Sequence, residues 1–253
     1  GITAAIMLQQ AGHNIEIFET RNHIGGNCYD SNLNGITVHN YGPHIFHTND
    51  QEVWDFLNRY TSFNHFKYCP KAQTDVFPTL VSLPYSLTTI KEIGRQLSSE
   101  EIINIFYKDY SEKQWGVPFN QISKSILTRV PVCKEVENPS WYQGEQYQGI
   151  PTKGYTAMMN NMLNGIKVHL EVDANEYKNI KSDVTIYTGK IDDYYNNVYG
   201  ALPYRTLTFE HSIIPNKLQH HAINQCNATN AYTRIYDHSY FLNQNAPYTV
   251  ITK

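Results

Sequence analysis

The sequence predicts an α/β fold: a helix–strand–glycine unit at the start, a helical stretch in the middle and an antiparallel β-sheet at the end. Three observations carry this. Residues 1–29 read in the order helix, strand, acid, base, paired glycines. Between residues 87 and 110, Ile90, Ile93, Leu97, Ile102, Ile103, Ile105 and Phe106 recur at helical spacing. From Ala201 onward, β-rich stretches alternate with turns, the signature of an antiparallel sheet.

The opening unit is the most informative. Ile2, Ala5, Ile6 and Leu8 form an apolar helical pattern that Gly12 stops, and Asn14 to Glu19 reads as a strand. Arg21-Asn22-His23-Ile24-Gly25-Gly26-Asn27 follows. This order matches a dinucleotide-binding half-unit. Glu19 stands where a carboxylate accepts hydrogen bonds from a ribose, and Gly25 and Gly26 let the backbone approach a pyrophosphate. The chain opens at Gly1 without an initiator methionine. Gly1 reads as the last glycine of a Gly-x-Gly-x-x-Gly turn whose first strand and first two glycines lie upstream.

Composition narrows the class. With 41% hydrophobic and 17% charged residues, the chain has an ordinary soluble make-up, and 253 residues suffice for one large core or several lobes. A net charge of −3 gives no reason to expect nucleic acid or an anionic membrane. Cys28, Cys69, Cys133 and Cys226 are widely spaced, which argues against a zinc site or redox dithiol and suits a reducing, cytoplasmic compartment. No long apolar run or basic–apolar leader indicates membrane insertion. The 20 tyrosines fit either ring-stacking surfaces or a tyrosine-rich sheet.

Further along, a turn is expected between Asp30 and a strand at Ile36 to His39, and a helix over Asp50 to Tyr60 capped by Asn49 or Asp50. Between them, Tyr41-Gly42-Pro43-His44-Ile45-Phe46-His47-Thr48 is an irregular segment. His44 and His47 have no third ligand spaced to join them, so no metal site is expected. Val76 to Pro84 has β-formers broken by prolines. Ser98 or Ser99 with Glu101 reads as a capped helix start. Ser125 to Val132 is a short apolar run around Arg129, either an anion-reaching arginine or one on an exposed strand face. Gly154 leads into a helix over Tyr155 to Leu163. Strands are expected at Val168 to Leu170, Val184 to Gly189, Tyr204 to Phe209, Ala222 to Gln225, Tyr232 to Tyr236 and Tyr248 to Lys253.

Several separated motifs resemble the bacterial UDP-galactopyranose mutases. They are the Arg21–Asn27 motif, Tyr41–Thr48, Glu112-Lys113-Gln114-Trp115-Gly116, Arg129-Val130-Pro131-Val132, Tyr147-Gln148-Gly149-Ile150-Pro151, Tyr187-Thr188-Gly189-Lys190-Ile191-Asp192, Gly200–Arg205 and Tyr232-Thr233-Arg234. The Arg21–Asn27 motif alone fits many flavin oxidases. The histidine motif together with Glu-Lys-Gln-Trp-Gly is far more specific.

The resemblance implies an FAD-binding Rossmann-like domain interleaved with a small helical lobe and an antiparallel β-sheet. The cofactor-binding parts fall at 1–62 and 151–200, sheet parts at 63–86, 126–150 and 201–253, and a shortened helical substrate lobe at 87–125. It implies interconversion of UDP-galactopyranose and UDP-galactofuranose, with reduced FAD as nucleophile at the anomeric carbon, in the supply of galactofuranose for surface glycans by a homodimer. Arg129 and Arg234 match the cations that meet the departing diphosphate, and His44 a histidine beside the flavin. Trp115 and Tyr142 match substrate contacts. Phe106 and Tyr110 match the uridine platform, although without the neighbouring motif their spacing reads equally as core packing. Gly1, Glu19, Arg21, Gly25, Gly26, Asn27, Thr188, Gly189 and Arg205 match cofactor contacts, Arg205 as a residue of the sheet.

The chain also departs from the family pattern. The stretch from Pro84 to Tyr110 is shorter, the Lys134 to Glu145 loop is longer, Cys133 replaces an arginine, and the family's final segment has no counterpart before Lys253. Two alternatives follow: a flavin-dependent amine oxidase or desaturase sharing only the cofactor fold, and an inactive truncated relative.

Overall fold

The computed structural model describes residues 1–127, 131–173, 176 and 179–253, with the side chains of Ile126 and Leu127 excepted. The chain opens with α1 (Ile2–Gln10) and β1 (Glu16–Phe18), then a hairpin of β2 (Asp30–Leu33) and β3 (Ile36–His39). Next come β4 (Phe46–Thr48), α2 (Gln51–Asn58), β5 (Lys71–Gln73), β6 (Val81–Ser82) and β7 (Tyr85–Ser86). A helical lobe follows: α3 (Leu87–Ile93), then α4 (Ser99–Ile102), which runs through a π-helical stretch, Ile103–Lys108, into α5 (Asp109–Trp115). After α6 (Lys124–Leu127) come β8 (Val132–Cys133), β9 (Tyr147–Gly149), α7 (Tyr155–Met162), β10 (Lys167–His169) and α8 (Ile191–Tyr194). The chain closes with β11 (His211–Ile214), β12 (Ala222–Gln225), β13 (Arg234–Asp237) and β14 (Thr249–Thr252).

β1 pairs in parallel with the distant β10, and α1 and α7 pack with these strands through Ala5, Ile6, Met158 and Met162 against Ile17 and Val168. Parallel pairing with helical cover is the geometry of a Rossmann-like unit. The N-terminus of α7 has no capping side chain of its own. Asp30 supplies one instead, accepting from the amides of Tyr155 and Thr156, the second at 3.1 Å. That ties the β2–β3 hairpin to the helix.

The four C-terminal strands join β5 and β6 in a six-stranded sheet in the order β11-β14-β13-β12-β5-β6, antiparallel except for β12 against β5. The helical lobe packs on its β5–β6 end, burying Leu97, Ile102 and Phe106 against Ala72, Val81, Leu83 and Tyr85. Among the described residues, the segment 126–150 adds no strand to this sheet: β8 pairs with β7 and β9 with β4.

Expected helix starts are found where side chains cap them. Asp50 Oδ1 accepts from the amides of Glu52 at 2.8 Å and Val53 at 3.2 Å, and Ser98 and Glu101 form a reciprocal capping box. Three strand expectations fail. Val184–Gly189 is not a strand: it finds no neighbouring strand to bond, and Val184 and Ile186 are exposed. Tyr204–Phe209 is irregular, and the strand forms one step later, at β11. Of Val76–Pro84 only Val81–Ser82 pairs, between flanking prolines that cannot donate to a ladder. The run beginning at Ser125 opens in helix α6 rather than strand, and Arg129 lies outside the described residues.

Candidate functional site

The glycine-motif residues gather on one side. Arg21 Nη2 donates to Asn27 Oδ1 at 3.0 Å, and its guanidinium lies 4.7 Å from the centre of the Tyr41 ring. Arg21 Nη1 is buried without a partner. Glu19 Oε1 accepts from the Arg21 amide at 2.9 Å, bracing the turn. Gly25 has φ +90°, and a Cβ there would sit 2.6 Å from Met159 Sδ, so no other residue fits without displacement. Gly26, at φ +57°, faces open space.

His44 donates its backbone N–H to His39 Nδ1 at 3.1 Å, while its own Nε2 is buried and unpartnered. Burial holds the His44 pKa below the usual imidazole value, which favours a neutral ring at pH 7. Gly1 and Thr188 come together, a Cβ on the glycine lying 3.4 Å from Thr188 Oγ1, and the neighbouring Gly189 lies beneath the Tyr187 ring. Two orphaned buried nitrogens beside an open glycine backbone suit an anionic, ring-bearing cofactor.

Next to this cluster is a cavity of about 430 Å³ lined by, among others, Tyr41, Tyr110, Trp115, Trp141, Arg234 and Tyr236. It lies between α5 and the β12–β13 hairpin. Arg234 Nη1 donates to Tyr236 Oη at 2.9 Å, and the guanidinium sits 5.2 Å from the Tyr110 ring centre. Arg234 Nε, Asn224 Oδ1 and Tyr107 Oη are buried with no partner. Such groups are costly to leave unmet, so a polar guest fits this wall, with an anionic group for the Arg234 donor and a donor for Asn224 Oδ1. Trp115, 39% exposed, offers a flat apolar face to the same space. Tyr41, Gly42 and Pro43 line the cavity too, and Tyr41 also contacts Arg21. One short segment therefore separates the two sites.

Four of the expected substrate residues, Phe106, Tyr110, Trp115 and Arg234, converge on this cavity. Phe106 differs in role: it is 1% exposed and packs against Phe77 and Tyr85. It and Tyr110 both reach the cavity wall across the π-helical turn. Tyr142 does not line the cavity but stacks on His47, ring centres 3.7 Å apart; its neighbour Trp141 lines it instead.

Arg205 lies in irregular chain rather than the sheet. It donates to the carbonyls of Gln114 at 3.2 Å and Lys113 at 3.5 Å, at the end of α5, where a cation suits the helix dipole. Sequence reasoning passed over Tyr41, Asn224 and Lys113. Lys113 and Tyr41 stood inside recognised motifs, but nothing in Ala222 to Gln225 beyond its strand pattern marked Asn224.

Fold and site together fit a nucleotide-handling enzyme of the Rossmann-like class, with a candidate cofactor cradle beside an aromatic, cationic cavity. The sequence pattern of NAD(P)-binding Rossmann-like domains matches residues 1–60. The pattern of UDP-galactopyranose mutase matches residues 105–253, and the chain belongs to that family. It is 31% identical to the "Probable UDP-galactopyranose mutase" of Klebsiella pneumoniae, over 95% of this chain and 71% of the relative. It is 29% identical to the dTDP-fucopyranose mutase of Escherichia coli, over 95% of this chain and 74% of that one. A crystal structure of reduced UDP-galactopyranose mutase shares the fold, with a TM-score of 0.67 at 14% identity, covering 99% of this chain and 71% of the other. An oxidoreductase from Methanosarcina mazei follows at a TM-score of 0.56 and 13% identity, covering 99% and 75%. Among the described residues, no helix is long and apolar enough to cross a membrane.

Proposed function

We propose that the chain interconverts UDP-galactopyranose and UDP-galactofuranose with FAD held in the cradle beside Arg21, Gly25, Gly26 and His44. The observation that carries this reading is the seating of Arg234 against Tyr110, beside Trp115, in a cavity whose Tyr41–Pro43 wall backs onto the cradle. Reduced FAD, when bound, supplies the nucleophile for the anomeric carbon.

The chain's own residues do the rest. Arg234, with Arg129 as its partner, meets the negative charge that concentrates on the departing diphosphate, since a guanidinium presents a planar fork of donors. Tyr110 and Trp115 hold the uracil by stacking. Gly1, Glu19, Asn27, Thr188, Gly189 and Arg205 belong to the cofactor side of this assignment. The cofactor-binding parts are 1–62 and 151–200, and 87–125 is the substrate lobe. The free thiols of all four cysteines fit a cytoplasmic location, and the family resemblance suggests a homodimer.

The test uses purified protein supplied with FAD, reduced with dithionite and given UDP-galactofuranose. The expected result is UDP-galactopyranose with no net oxidation of the sugar. Net oxidation, or no exchange in protein that retains the flavin, overturns the reading. A second reading, a dTDP-fucopyranose substrate, rests on the E. coli relative, whose identity and coverage nearly equal those of the K. pneumoniae protein. Competition between UDP and dTDP for the cavity separates them.

A further inference from the structure

Lys113 stands one turn beyond Tyr110 on α5, but its side chain leaves the helix and enters the β12–β13 connection. There Nζ donates to four backbone carbonyls: Gln225 at 2.8 Å, Asn227 at 2.7 Å, Asn230 at 3.1 Å and Tyr232 at 3.3 Å. An ammonium has three protons, so these acceptors share it. Carbonyl dipoles converge on one point only around a cation. Without it their repulsion favours a different path for residues 225–232.

That path matters because it delivers Thr233 and Arg234 to the cavity wall. The Gln225 amide donates to the Thr233 carbonyl at 2.8 Å, so the start of β13 follows the connection that Lys113 gathers. The connection has some order of its own, through Asn227 Oδ1 accepting from the Asn230 amide at 3.0 Å and Asn230 Nδ2 donating to Gln225 Oε1 at 2.6 Å. Those bonds shape the turn but do not attach it to α5. Lys113 does, and the same helix carries the Tyr110 ring on which Arg234 rests.

We infer that Lys113 is a positioning residue that sets Arg234 against Tyr110 and thereby governs how tightly the cavity grips a nucleoside diphosphate. The inference rests on the nucleotide-sugar reading of the cavity. Calorimetric titration of UDP tests it on the 253-residue chain, with Lys113→Met, Lys113→Gln, Arg234→Lys and the Lys113→Met/Arg234→Lys double variant.

Lys113→Met is expected to weaken UDP binding roughly tenfold, and Lys113→Gln, which keeps an amide donor, by less. In the Arg234→Lys background, Lys113→Met adds less than about twofold, because the fork it positions is already gone. Additive losses, or an unchanged affinity in Lys113→Met, overturn the inference. Amide hydrogen exchange provides a readout independent of UDP. Residues 226–234 should exchange faster in Lys113→Met while α1 and α7 do not change, and unchanged exchange at 226–234 also overturns the inference. Failure of the wild type to bind UDP sinks the nucleotide reading alone, since exchange still reports on Lys113. Should Lys113→Met not fold, Lys113→Gln carries the same comparisons.

Discussion

Acid should destabilise this protein as soon as pH falls below the ordinary imidazole range, and His39 is the place to measure it. The ring is 2% exposed, and burial pushes its pKa down to about 3 from the ordinary 6.5. It is enclosed by Tyr155, Phe241, His238 and the His44 backbone, and Asp30 stands opposite it on β2. A folded-state pKa below the unfolded value means that the unfolded chain takes up the proton first. The stability from a neutral His39 is therefore complete above pH 6.5 and drains away as pH falls toward 3.

At pH 4.5 this amounts to about 3 kcal/mol, and His221, pushed down to about 4 by burial, adds about 2–3 kcal/mol. His238, also held well below its ordinary value by burial, adds in the same direction. The sum rivals the total stability of a typical domain, about 5–15 kcal/mol. Urea unfolding followed from pH 7.5 to 4.5 should show a steep loss of stability. His39→Asn, which keeps an acceptor for the His44 amide, should reduce that loss by about 3 kcal/mol. An identical pH dependence in wild type and His39→Asn would refute the reasoning.

Three further outcomes are expected. Arg234→Ala should weaken UDP binding by about 10- to 100-fold, the worth of charge-assisted hydrogen bonds, without changing the far-ultraviolet circular dichroism. Gly25→Ala forces a Cβ to within 2.6 Å of Met159 Sδ at φ +90° and should cost about 1–3 kcal/mol in urea unfolding; adding Met159→Ala should recover only the steric part. Asp30→Ala leaves the Tyr155 and Thr156 amides at the start of α7 without their acceptor, and should destabilise by about 1–3 kcal/mol, read as a lowered melting temperature.

What could be read from the sequence was mostly local. Asp50 and Ser98 cap helices with oxygens a few residues away, so their signal lies within one window of sequence. The glycines at 25 and 26 answer to backbone angles, which are equally local. A sharper signal was overlooked. Asn34-Gly35, with φ +53° and +89°, is the two-residue turn that pairs β2 with β3, and it places a strand where only a turn was expected.

The misreadings are non-local. Val184–Gly189 has strand composition, but a strand exists only beside a partner. Arg205 matched a motif, yet its guanidinium lies over Gly116, where a Cβ would sit 2.5 Å from Nη1, and that meeting of distant segments has no trace in either stretch alone. The fourfold carbonyl grip of Lys113 is invisible for the same reason, because backbone acceptors carry no sequence signature.

The π-helical stretch Ile103–Lys108 makes helix winding itself part of the code. A π turn holds one residue more than the α turn it replaces. Wound as uninterrupted α instead, the same residues would swing everything downstream by about 100° and carry it about 1.5 Å further along the axis. The Tyr110 ring would leave Arg234, Trp115 would leave the cavity, and Lys113 would point away from the carbonyls it gathers. Removing one residue from the π turn, by contrast, leaves a plain α turn with the downstream helix still in register. Relatives of this chain that keep Glu-Lys-Gln-Trp-Gly but lack one residue of that turn should therefore keep their nucleotide binding.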